Sequence, residues 1–137
     1  MKLVALLSIL TLAFSANLVA ADYLLITHPS NPVNSVSAKD VESILSGQNN
    51  RWESGSAVRL AVYKGGDFHE ATIKALTGRS GSQFKRFWKK LIFTGKGIAP
   101  KEQKDVAEMV DFVTSTENSF GYVPAGQEGS AKVLIVN

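Results

Sequence analysis

The chain has 137 residues, no cysteine, and a net charge of only +3 from 15 Lys and Arg against 12 Asp and Glu. The missing cysteine excludes a disulfide scaffold, a thiol nucleophile and a lipid anchor on a cysteine. So mild a charge gives no footprint for a nucleic-acid partner.

The first residues read as an export segment. Lys2 is a short positive start, Leu3 to Phe14 is almost wholly apolar, and Val19-Ala20-Ala21 places small residues where a leader is cut after Ala21. Residues 1–21 are therefore expected to be a signal peptide that is removed on export, and an uncleaved anchor is the other possibility. Residues 22–137 have the size of one ordinary domain with its own core.

Taken in order, Tyr23-Leu24-Leu25-Ile26-Thr27 is a continuous apolar run, the pattern of a strand buried on both faces as parallel sheets require. His28 to Val33 leaves it as a loop with two prolines. Ser37 suits the N-cap of a helix from about Ala38 to Ser46, with Asp40 as capping-box acid, Val36 stapled on Val41, and Gly47 as the left-handed stop. Gln48 to Ala57 is polar and turn-rich, and Trp52 within it is read as a lid folded back on the core.

Val58 to Leu76 is the central unit: a strand, a glycine loop and a helix. Leu60 and Val62 alternate with Arg59 and Ala61, whereas Phe68, Ala71, Thr72, Ala75 and Leu76 have helical spacing. The period changes across Lys64 to Asp67. At such a junction the amides of the first helical turn are unpaired and the macrodipole is positive, which suits a small anion. Lys64 adds a mobile positive charge, and Gly65 and Gly66 let backbone approach a ligand.

A third helix follows Ser80 or Ser82, with Phe84, Phe87, Trp88, Leu91 and Ile92 on its core stripe and Lys85, Arg86, Lys89 and Lys90 on the other side. Such a basic face is ordinarily just solvated; the alternative is docking on an acidic surface, either lipid head groups or a protein. Thr94 to Pro100 is a loop, and a helix is expected from about Glu102 to Ser115, burying Val106, Met109, Val110 and Val113. Phe120 to Val123 and Lys132 to Val136 read as strands. Strands alternating with helices predict an α/β domain with a mainly parallel sheet flanked by helices, whose binding edge lies at the carboxyl ends of the strands.

No enzyme constellation is marked. His28 and His69 lie on different loops without metal-pair spacing, so neither a metal nor another cofactor is expected, although the two could converge in space. Asp40, Glu42, Asp67 and Glu70 are explained as charges at helix starts rather than as a catalytic pair.

Together, Thr27-His28-Pro29-Ser30-Asn31-Pro32-Val33, Ser37 with Ile44-Leu45-Ser46-Gly47, Arg51-Trp52, Phe87-Trp88 and Gly121-Tyr122-Val123 resemble the phosphate-type periplasmic substrate-binding proteins, closest to their short single-domain relatives. The resemblance extends over nearly all of residues 22–137. It implies a single lobe of a type 2 periplasmic-binding fold, located in a Gram-negative periplasm and without enzymatic activity. In that family a loop after the second strand carries an arginine and a Ser-Gly-Thr-like turn that hydrogen-bonds phosphate. The matching positions here are Tyr63 to His69, where the hydroxyls are gone and Asp67 adds a negative charge. Two functions stay open. One is a module binding a small anion such as phosphate at Ser30, Asn31, Lys64, Gly65, Gly66 and His69, its cleft completed by a homodimer. The other is a ligand-free module docking on an envelope or transporter protein through the half-cleft or through Lys85, Arg86, Lys89 and Lys90.

Overall fold

A computed structural model describes residues 22–137. The expected leader, its cleavage point and the alternative anchor lie outside these residues. The strands are β1 (Tyr23–Thr27), β2 (Ser35–Val36), β3 (Arg59–Tyr63), β4 (Lys101–Gln103), β5 (Ser119–Pro124) and β6 (Lys132–Val136). The helices are α1 (Ala38–Leu45), α2 (Asp67–Thr77), α3 (Gly81–Phe93) and α4 (Val106–Ser115). Among the described residues the hydrophobic core runs from Leu25 to Leu134. Among the described residues no helix is long and apolar enough to cross a membrane.

The six strands form one sheet in the order β2-β6-β1-β5-β3-β4. β2 is parallel to β6, and β5, β3 and β4 are parallel to one another, while β1 is antiparallel to both its neighbours β5 and β6. The sheet is thus mostly parallel, as expected, but β1 is its reversed strand. A continuous apolar run reports burial of both faces and carries no information on direction. Reversal has a consequence for the site: Thr27 pairs with Phe120, and Phe120 pairs with Leu60. The end of β1 therefore lies beside the amino end of β3, and His28 to Val33 leaves the sheet at the edge opposite the Lys64 turn.

Local chemistry sets most element boundaries. Ser37 and Asp40 form both halves of a capping box at α1, and Gly47 takes φ 72° after it. Ser80 and Gln83 repeat the capping box at α3. Trp52 is buried, donating its indole N–H to the Asn118 carbonyl at 2.9 Å and tilting against Phe120, so it is the core lid that was expected. The expected helix start at Glu102 is not found. Lys101 to Gln103 instead pairs with Ala61 to Tyr63 as an edge strand, and Asp105 caps α4 by accepting from the Glu108 N–H. A three-residue edge strand with one buried side chain carries too little alternation to be seen in sequence.

The sheet is covered on both sides. Gly121 faces α4, where a Cβ would come within 2.7 Å of Met109 Sδ and 3.1 Å of Val113 Cγ2. Its neighbour Tyr122 projects the other way, by strand alternation, and reaches His69 of α2. α1 and α3 pack on α2.

Candidate functional site

β3 delivers the chain to the Lys64 turn. The Lys64 N–H donates to the Gln103 carbonyl at 3.0 Å, which ties the turn to the end of β4. Gly66 then takes φ 105°, a conformation a side chain would resist, and stands as N-cap of α2 with no side chain capping the first helical turn. Lys64, Gly65, Gly66 and Asp67 are exposed. The turn therefore presents uncapped amides and one lysine to solvent, with the Asp67 carboxylate at the first helical position as the opposing charge.

His69 does not belong to that exposed loop. It lies inside α2 and is buried, on a face with Thr72 and Ile73, with Leu76 partly buried. The face expected from sequence, through Ala71 and Ala75, is rotated, because both alanines are exposed. The small alanines follow the helical spacing yet bury little, and the imidazole fills the inner position instead. His69 Nδ1 is 2.7 Å from Tyr122 Oη. Tyr122 Oη also accepts the Tyr63 N–H at 3.4 Å, so the phenol oxygen joins β3, β5 and α2. The Tyr63 hydroxyl closes the network by donating to the Tyr122 carbonyl at 2.9 Å. Burial lowers the His69 pKa against the weaker opposing pull of Glu70 and Glu102, so the ring is held neutral. Burial likewise raises both Tyr63 and Tyr122 far out of the physiological range.

A cavity of about 330 Å³ opens between β3, α2 and α3. Lys64 and His69 line it together with Lys85 and Lys89 of the basic helix face. The two groups of residues treated as separate in the sequence share one cavity, although Arg86 and Lys90 are outside its lining. Glu70 and Glu102 also line it. Glu70 is already engaged: its Oε2 accepts the Gly81 N–H at 2.8 Å and caps α3 from the neighbouring helix. A Cβ at position 81 would overlap that carboxylate, so glycine there admits the contact.

Ser30 and Asn31 are not brought to this cavity. They follow β1 at the opposite sheet edge, and Asn31 is buried and fully used: its amide donates to Thr27 Oγ1 at 2.9 Å, its side-chain oxygen accepts the Val33 N–H, and its carbonyl accepts Lys132 Nζ at 2.7 Å. Ser30 contacts His28 Nδ1 at 2.7 Å within the same loop. Of the six residues proposed from sequence, Lys64 and His69 line the cavity, Gly65 and Gly66 are exposed in the turn outside its lining, and Ser30 and Asn31 lie at the opposite edge because β1 is reversed. His28 and His69 are separated for the same reason. Among the described residues no group of three or more His, Asp or Glu is placed to hold a metal.

No family model and no curated protein matches the sequence. Solved structures do match the fold, each at low sequence identity. An ABC-type phosphate transport receptor from Vibrio cholerae superposes with a TM-score of 0.65 at 13% identity, over 84% of this chain and 46% of the receptor. A putative phosphate ABC transporter substrate-binding protein from Clostridium perfringens, with bound phosphate, gives 0.66 at 15% identity, over 84% of this chain and 44% of its own. PstS from Borrelia burgdorferi gives 0.57 at 16% identity, over 85% and 47%. The chain spans less than half the length of each.

Proposed function

We propose that this protein is an exported, non-catalytic module that binds a small oxyanion such as phosphate in the cavity between β3, α2 and α3. The observation that carries the reading is that Lys64 and His69 line one cavity with Lys85 and Lys89. Three ammonium groups offer the charged donors an oxyanion needs. The fold's likeness to phosphate-transport receptors supports the ligand class and a periplasmic location. In this reading a second copy of the chain, or a transporter or other envelope protein, closes the open side of the site.

Asp67 favours a second reading, a ligand-free module that docks on an envelope protein, since its carboxylate stands where an incoming anion would approach the helix start. Thermal melting of the 22–137 polypeptide with added phosphate separates the two. Anion binding raises Tm with phosphate concentration, and Lys64→Ala or Lys85→Ala reduces the shift without lowering the unliganded Tm. A Tm that ignores phosphate leaves only the docking module.

A further inference from the structure

The outer face of α3 ends in a residue that its own pattern does not explain. Phe84, Phe87, Trp88 and Leu91 form the core stripe, whereas Arg86, Lys89, Lys90 and Phe93 follow one another at i, i+3, i+4 and i+7 along the opposite side. Phe93 thus continues the basic stripe and is 93% exposed. Beyond it, Gly95 takes φ 71° and the turn folds back, so that a Cβ on Gly97 would lie 3.1 Å from the Trp88 ring. That packing fixes the turn on α3 and leaves Ile98 bare at 91% exposure, at the rim of a second cavity lined by Val58 and Arg59 at the amino end of β3. Lys96 and Lys101 line that second cavity with Ile98, Lys90 precedes Phe93 by three residues on α3, all three lysines are exposed, and no carboxylate occurs from Lys85 to Lys101.

We propose that this tip, with Phe93 and Ile98 as the inserted side chains and Arg86, Lys90, Lys96 and Lys101 as the collar, docks on an anionic lipid surface. Single exposed apolar residues are common, but two large ones bared almost completely within six residues, at a helix end in a stretch with basic residues and no carboxylate, match an interfacial anchor. Phe93 ends α3 and Ile98 stands at the mouth of the second cavity, both open to solvent, which suits the shallow acyl boundary. Burying one such side chain favours the bound state on the order of ten- to a hundredfold, and each lysine beside anionic headgroups adds roughly fivefold. The lysine stems lie along the apolar boundary while their ammonium groups stay at the phosphates. The Lys64 turn is at the other end of β3, so a docked protein keeps that turn in water. This inference goes beyond the anion-binding reading and does not depend on it.

The test is co-sedimentation of the 22–137 polypeptide with vesicles of phosphatidylcholine alone or mixed with phosphatidylglycerol, each variant first shown to melt cooperatively. Wild type should partition at least tenfold more strongly onto the mixed vesicles, less so as salt is raised. Phe93→Ser/Ile98→Ser and Lys90→Glu/Lys96→Glu should each lower that partition at least tenfold, while Lys39→Glu on α1 should leave it within twofold. No binding to mixed vesicles, equal binding to both kinds, or binding indifferent to Phe93 and Ile98 overturns the proposal. A concentration-dependent dimer that Phe93→Ser/Ile98→Ser abolishes, with no vesicle binding, would assign the tip to a second copy of the chain instead.

Discussion

His69 Nδ1 and Tyr122 Oη are 2.7 Å apart in the interior, joining α2 to β5 directly behind the candidate anion cavity. The imidazole lies edge-on to Phe84 at 6.3 Å. Tyr122→Phe keeps the aromatic ring and removes the hydroxyl, leaving Nδ1 buried and unpaired. A loss of about 1–3 kcal/mol in urea denaturation is expected; no loss would mean that the contact contributes nothing to the fold.

The same histidine gives stability a pH dependence. Its pKa is lowered in the folded protein from the ordinary 6.5, so on acidification the unfolded chain binds a proton that the native state resists. The contribution is complete above about pH 6.5 and is lost as pH falls from there through the lowered folded value. Tm should therefore fall between neutral pH and pH 5, and His69→Gln should flatten that part of the profile. A His69→Gln profile parallel to wild type would assign the slope to other groups.

Gly121 sits against α4 with no room for a methyl group. Gly121→Ala should cost about 1–3 kcal/mol through overpacking against Met109 and Val113, both fully buried. In a Met109→Val background the same substitution should cost less, because the sulfur that the new Cβ meets is gone. Equal costs in both backgrounds would place the strain elsewhere.

Much of this architecture is legible in the sequence because it is written in local chemistry. Ser37 with Asp40, Gly47, Gly78 and the Phe84 to Leu91 stripe each specify their own element. Strand direction is not local: β1 carries the same apolar run whichever way it lies, and its reversal alone moves Ser30 and Asn31 away from Lys64. His69 was hidden for a different reason. It stands one residue after the apolar Phe68 and reads as the end of a polar loop, yet counting i+3, i+4 and i+7 from it gives Thr72, Ile73 and Leu76, a better buried face than the alanines. The common cavity of Lys64 and Lys85 depends on how α3 packs on α2, which no spacing reports.

Charge at the site should decide its affinity. Asp67→Asn removes the carboxylate at the helix start, and Glu70→Gln removes one from the cavity wall while keeping an oxygen to accept the Gly81 N–H. Each should tighten phosphate binding several-fold in titration calorimetry at low ionic strength. Looser binding in Asp67→Asn would show that the carboxylate helps to hold the ligand.

The most direct measurement is calorimetric titration of the 22–137 polypeptide with phosphate near neutral pH, with sulfate as the comparison anion, alongside Lys64→Ala and Ser30→Ala. Saturable phosphate binding is expected, weakened several-fold or more by Lys64→Ala and unchanged by Ser30→Ala, since Ser30 lies at the other edge of the sheet. No heat with phosphate, or weakening by Ser30→Ala and not by Lys64→Ala, would contradict it.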